Sequence, residues 1–196
     1  SWGSGYGVRL LDRLVADRVK ALAADAGTEV HFHPQCFLSH KHFAGEDPVR
    51  AEAFVDVAND PTFDALWLAR GGYGSCRIAE EVLARLQAPA REKAYLGYSD
   101  AGYLLAGLYR AGFGQVAHGP MPQDVKREDG EAAILRALSW LIDRSPEALE
   151  PSVADGARHA AFNITVFSQL LGTPLQPDLT GHVLMLEEVS EHTYRT

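Results

Sequence analysis

Residues 94–102 read Ala94-Tyr95-Leu96-Gly97-Tyr98-Ser99-Asp100-Ala101-Gly102 and run into the apolar stretch Tyr103-Leu104-Leu105-Ala106-Gly107-Leu108-Tyr109. An apolar stub, a sharp turn carrying a serine, then a helical run is the layout of a nucleophile elbow. Such a turn lifts the serine oxygen above the sheet edge. It leaves the backbone N–H of the next residue, here Asp100, facing a developing oxyanion. The usual G-x-S-x-G pattern has glycine where this chain has Ala101. Two readings stand side by side: Ser99 is a nucleophile, or it caps an ordinary strand-to-helix turn.

Working outward, residues 65–69 (Ala-Leu-Trp-Leu-Ala) form a continuous apolar run, as expected of a strand buried on both faces. The glycine-rich turn Arg70-Gly71-Gly72-Tyr73-Gly74 follows, then a helix over about 75–86. The strand at 94–97 and a helix over about 101–111 come next. This alternation predicts an α/β fold with a parallel sheet and right-handed crossovers. Ligands in such sheets bind at the carboxyl ends of the strands, where both Gly71–Gly74 and Ser99 lie.

Further out, apolar residues at three- and four-residue steps predict a helix over 9–26, with Gly27 at its stop position. Residues 29–33 read as a short strand. Residues 47–59 read as a helix with Asp47 as cap and Pro48 at its first position. A further amphipathic helix is expected over 131–144, a linker over 145–160, a short helix over 163–171, and a strand over 182–186 running into Glu187 and Glu188. The resulting organisation is an α/β domain carrying the elbow over 1–144, the linker, and the beginning of a smaller C-terminal domain over 161–196.

The chain has 196 residues, 46% apolar and 22% charged, which suits a globular domain with a real core. A net charge of −8 and the lack of any basic run argue against nucleic acid or an anionic membrane as partner. No apolar stretch approaches the ~20 residues of a membrane span, and no signal peptide is visible. Cys36 and Cys76 make neither a disulfide framework nor a CxxC site, so a reducing cytoplasm is the expected compartment. The sequence begins at Ser1 rather than Met, and an N-terminal piece is expected to precede it.

The turn at Arg70–Gly74 is not GxGxxG and no Walker lysine follows, so it reads as a weak phosphate cradle or as a plain tight turn. A third reading suits Ser99 better: the N–H of Gly72 completes an oxyanion hole with that of Asp100. A serine nucleophile needs a base, and the histidines are His31, His33, His40, His42, His118, His159, His182 and His192. The pairs His31/His33 and His40/His42 have metal-like spacing but lack a third ligand, so no metal is expected. His118, in His118-Gly119-Pro120-Met121, could line the same rim. Glu187 is either an acid that orients a histidine or a solvated strand-end carboxylate. Arg70 could grip a terminal carboxylate with its fork of donors or serve a structural ion pair. Trp2, Trp67 and Trp140 read as packing residues.

Five separated motifs together resemble one family. They are Ala69-Arg70-Gly71-Gly72-Tyr73-Gly74, Gly97-Tyr98-Ser99-Asp100, His118-Gly119-Pro120-Met121, Asn163 with Leu171-Gly172-Thr173-Pro174, and Leu186-Glu187-Glu188 ahead of Tyr194-Arg195. In this order they look like the serine LD-carboxypeptidases, which include muramoyltetrapeptide carboxypeptidases and microcin C self-immunity proteins. The resemblance implies a Ser–Glu–His triad with Ser99 as nucleophile and Glu187 as acid, and the N–H groups of Gly72 and Asp100 as oxyanion hole. Arg70, Tyr73 and His118 become candidate substrate contacts. The implied reaction is hydrolysis of the amide between an L-centre and a terminal D-amino acid, releasing D-Ala from a cytoplasmic murein tetrapeptide. The partner is a small peptide, no cofactor or metal is implied, and a homodimer is consistent with the resemblance.

Two departures matter. Ser1–Val8 looks like the family's first loop without the strand before it. The family's histidine lies well beyond the L-E-E-V segment, and none of the eight histidines here stands in the matching position. The chain is therefore expected to be a piece of a longer protein. Without the triad base it would lose ~10⁴ or more in rate. Rival readings are a microcin-C-type hydrolase of peptidyl or aminoacyl nucleotides, a catalytically dead peptide-binding protein, and a generic esterase. The murein reading is preferred because residues 187–195 resemble the E-[DE]-V-x-E-x-x-Y-R of the recycling enzymes.

Overall fold

A computed structural model describes residues 11–153 and 156–189. In chain order its elements are α1 (Arg13–Asp25), α2 (Asp47–Asn59), β1 (Ala65–Trp67), α3 (Ser75–Arg85), the single turn α4 (Ala88–Arg91), β2 (Ala94–Gly97), α5 (Gly102–Arg110), β3 (Val116–His118), α6 (Gly130–Asp143), β4 (Arg158–Asn163), α7 (Ile164–Leu170) and β5 (His182–Glu187). The reading of Ser1–Val8, and those of Trp2, His192, Tyr194 and Arg195, lie outside the described residues.

Strands β1, β2 and β3 form a parallel sheet in that order, with β2 in the middle. Parallel neighbours need crossovers, and α3 and α5 supply them. Along β2 the side chains alternate between two helical layers. Tyr95 enters a cluster with Phe54 of α2, Val82 of α3 and Leu104 and Leu108 of α5. Ala94 and Leu96 pack instead against Ala137 and Leu141 of α6. Burial on both faces is what makes Ala94–Gly97 an unbroken apolar strand. A second parallel pair, β4 and β5, runs from Arg158 opposite His182 to Asn163 opposite Glu187. Phe162, Val166 and Leu170, from β4 and α7, join the cluster around α5, so the second sheet sits on the same core. No helix among the described residues is long and apolar enough to cross a membrane.

Several local expectations shift. The first helix begins at Arg13 because the Asp12 carboxylate accepts the Leu14 N–H at 3.0 Å. In α2, Asp47 is not the cap but the first helical residue, and its carboxylate pairs with Arg50 at 2.5 Å and Arg77 at 2.6 Å. Residues 65–69 are not buried throughout. In β1 only Leu66 is buried, and among the described residues β1 pairs with β2 alone. Residues 29–33 form no strand. They line a cleft of about 860 Å³ that β1 also lines, and Val30 and Phe32 pack on the α1–α6 side. Strand β4 starts at Arg158, inside the 145–160 stretch whose weak periodicity and prolines read as a linker.

The end of β2 is packed tightly enough to require glycine. A Cβ on Gly97 would stand 3.0 Å from Leu68 Cβ and 3.2 Å from Ala101 Cβ. Both obstacles are fixed to the backbone and cannot swing aside. Gly97→Ala is expected to lower stability by about 1–3 kcal/mol, read as a lower urea midpoint with an unchanged slope. An unmoved midpoint would show that this close approach is not a constraint.

Candidate active site

The route from β2 into α5 is bent at one residue. Tyr98 is extended (φ −152°), Ser99 then takes φ +59°, and a 3-10 turn over Ser99–Ala101 leads into α5. A left-handed conformation is costly for a residue with a Cβ, on the order of 1–3 kcal/mol, and persists only where the surroundings impose it. The effect is to hold the Ser99 side chain at the carboxyl end of the sheet. Ser99 does not serve as a side-chain cap for this turn.

The glycine-rich turn lies directly against it. A Cβ on Gly71 would stand 3.3 Å from Ser99 Oγ and 3.3 Å from Met121 Cε. Gly72 (φ +143°) and Gly74 (φ +118°) take conformations that side chains disfavour. Neither the N–H of Gly72 nor that of Asp100 donates to a backbone carbonyl among the described residues. The Asp100 carboxylate reaches back to this turn, accepting the N–H of Gly74 at 3.3 Å and of Ser75 at 2.9 Å.

Tyr98 is tied to the loop after β3. Its hydroxyl donates to Asp124 Oδ1 at 2.9 Å and accepts from Arg127 at 2.8 Å, while Asp124 Oδ2 accepts the Met121 N–H at 2.9 Å. Burial pushes the Tyr98 phenol up to about 12, helped by the Asp124 hydrogen bond and charge. The ring meets His118 edge-on, with centroids 5.9 Å apart. Burial drives His118 down to about 4, against a weaker opposing hydrogen bond with the Ala161 backbone. His118 is therefore a neutral imidazole near pH 7. No histidine hydrogen-bonds to Ser99 among the described residues.

Glu187 ends β5 opposite Asn163, and its Oε1 is buried without a hydrogen-bond partner among the described residues. Its neighbour Glu188 is saturated. It accepts from Asn163 Nδ2 (3.0 Å), the Thr165 N–H (3.1 Å), Thr165 Oγ1 (2.8 Å) and the Val189 N–H (2.8 Å). Burial alone would raise its pKa, but these donors bring it to about 2. Arg70 is half-buried, its Nε donates to its neighbour's carbonyl, Gly71 O, at 3.1 Å, and it loses basicity to desolvation. It lines the 860 Å³ cleft with Gly71, Gly72, Tyr73 and Asp100; His118 and Glu187 line a second cavity of about 670 Å³ between β3 and the β4–β5 pair. Tyr73 is exposed and its ring leans on Phe43. The structure thus brings Ser99, Gly71, Gly72 and Asp100 together, while Glu187 lines the second cavity with His118. Sequence reasoning gives Glu188 only as part of the Leu186-Glu187-Glu188 strand end and misses Asp124, which lies in the 3-10 turn Pro122–Lys126 after β3 and carries no local sequence signal.

Comparison with known proteins places the family and the fold. The chain matches the LD-carboxypeptidase N-terminal domain over residues 4–119 and the LD-carboxypeptidase C-terminal domain over 158–196. It is 31% identical over 173 residues to a putative carboxypeptidase of Synechocystis, covering 86% of this chain and 56% of that protein. A murein tetrapeptide carboxypeptidase of Pseudomonas aeruginosa is 27% identical over 192 residues, with 86% and 60% covered. Among solved structures, a muramoyltetrapeptide carboxypeptidase from Oxalobacter formigenes superposes with TM-score 0.73 at 25% identity, over 96% of this chain and 66% of that one. A microcin C7 self-immunity protein shares the fold, with TM-score 0.71 at 16% identity over 93% and 65%. The chain spans a little over half the length of these curated relatives.

The neutral His118 has a consequence for acid stability. An unfolded histidine takes up a proton near 6.5 and the folded one only near 4, so the unfolded state binds more protons between these values. Stability present above pH 6.5 is expected to fall as pH drops towards 4. His118→Gln should flatten that part of a thermal-midpoint-against-pH curve. Equal slopes in the two proteins would remove His118 as the cause.

Proposed function

Because the chain belongs to the LD-carboxypeptidase family, we propose that Ser99 is the nucleophile of a serine peptidase that hydrolyses the amide before a terminal D-amino acid. The observation that carries this is the left-handed Ser99 at the end of β2 with Gly71 against its Oγ. The serine oxygen attacks the scissile carbonyl as a histidine takes its proton. The tetrahedral oxyanion is met by the N–H groups of Gly72 and Asp100. The same imidazole returns the proton to the leaving amine, and water then releases the acyl group by the reverse sequence. Glu187 is the acid that holds the imidazole in its working tautomer. His118 does not suit the role of base: burial lowers its basicity to about 4, its ring packs edge-on against Tyr98, and it makes no hydrogen bond to Ser99 among the described residues.

The substrate class proposed is a small murein peptide ending in D-Ala, met in the cytoplasm. Relatives named as murein peptide carboxypeptidases in Bacillus subtilis and Pseudomonas aeruginosa support it, at 26% and 27% identity. No metal or organic cofactor enters the scheme.

The test is D-Ala release from a murein tetrapeptide by the whole protein. Ser99→Ala is expected to lower kcat by ~10⁴ or more, with substrate affinity retained. Glu187→Gln is expected to lower kcat by ~10⁴ through loss of the tautomer. Release that survives Ser99→Ala would remove the nucleophile. Turnover of simple aryl esters with indifference to the D-configured end would replace the peptidase reading by an esterase.

A further inference from the structure

Asp100 contributes two different groups. Its backbone N–H belongs to the oxyanion position next to Ser99, while its side chain points the other way, into the start of α3. There one carboxylate oxygen accepts the Gly74 N–H at 3.3 Å and the other the Ser75 N–H at 2.9 Å. The residue is 9% exposed, so water does little of this work. Gly74 and Ser75 are the N-cap and first residue of α3, where orphan N–H groups and the helix dipole both favour an anion. The turn they end, Gly71–Gly74, carries the other oxyanion donor, Gly72, in a positive-φ conformation. Gly74 supplies no side chain to cap the helix. The Asp100 carboxylate takes that place from a different segment of the chain.

We propose that Asp100 is a positioning residue: its carboxylate fastens the Gly72 turn to the Ser99 elbow and so sets the spacing between the two oxyanion donors. The inference rests on the hydrolase reading above. Both donors come from loop backbone, one in a glycine turn and one in a 3-10 turn, and each follows its own strand. The Leu68 N–H ties the two strand ends by donating to Leu96 O at 2.9 Å, and beyond that point the Asp100 carboxylate links the two turns themselves. An oxyanion is stabilised by donors already in place, so slackness of a fraction of an ångström acts on the transition state more than on the bound substrate.

Asp100→Asn tests this with almost no change of shape. An amide offers one acceptor oxygen, and its NH2 would face an N–H, so one of the two bonds is lost in either orientation. In the whole protein, kcat for D-Ala release is expected to fall about 10²-fold with KM within about threefold. Affinity for a peptide boronic acid, which Ser99 adds to as a tetrahedral anion, should fall in step with kcat/KM. Affinity of the Ser99→Ala protein for the intact tetrapeptide should not change when Asp100→Asn is added. A rise in KM alone, an unchanged kcat, or equal losses for boronate and substrate would overturn the proposal. Should Asp100→Asn fail to fold, Asp100→Glu keeps the charge but displaces it by one methylene. The same split between kcat and KM is expected, and wild-type kcat would overturn the link. Absence of turnover in the wild-type protein, or turnover surviving Ser99→Ala, would sink the hydrolase reading and the link with it. Full turnover in Asp100→Asn beside an active wild type would sink the link alone.

Discussion

The pairing of β2 on both of its edges governs the rest. Leu96 lies opposite Trp67 on one side and Ala117 on the other, and helical layers cover both faces of the strand. A segment held in all four directions cannot relieve strain by shifting. The chain must therefore reverse from strand to helix within a residue or two of Gly97, and the cost falls on Ser99 as a positive φ. The order of 1–3 kcal/mol that this conformation demands is offset by the buried apolar surface of α5, where Leu104, Leu105 and Leu108 are all nearly inaccessible.

Around this fixed point, polar side chains act as ties between turns that have no regular ladder of their own. Asp124 joins Tyr98 to the loop after β3, and Asp100 joins the elbow to the start of α3. Trp67 adds a third tie, donating from its indole to Pro120 O at 2.7 Å. Each accepts or donates across a different pair of segments. In each case the buried groups would go unsatisfied if the segments moved apart, and an unmade buried hydrogen bond costs more than a made one contributes. The carboxyl ends of β1, β2 and β3 thus form one platform although their loops differ in length.

How much of this was legible in the sequence follows from where the forces act. The βα alternation from residue 65 to 118 and the elbow at Ser99 were readable because hydrophobic period and turn chemistry are local. Residues 29–33 misled for the opposite reason. Their apolar alternation is real, since Val30 and Phe32 do pack inward, but a strand needs a neighbouring edge, and that lies in tertiary space. Strand β4 was hidden because Arg158–Asn163 shows no clean alternation of apolar and polar residues, and pairing with β5 is what makes it a strand. The ties from Asp100 and Asp124 were equally invisible: spans of 25 and 26 residues separate the partners, and nothing in the local sequence records them.

Glu187 and Glu188 show how unlike two adjacent carboxylates can be. Glu188 turns towards α7 and takes up the N–H of Thr165 together with the Asn163 amide, so it is a structural acceptor with its valences filled. Glu187, one residue earlier, points to the other side of the strand end, towards Tyr98 and His118, and keeps one oxygen buried and unpartnered among the described residues. A buried carboxyl oxygen without a donor costs more than a typical hydrogen bond contributes. The open oxygen is an acceptor that an imidazole N–H could complete, the role proposed above for this acid. Of the two neighbours, Glu187 is the one with acceptor capacity left among the described residues.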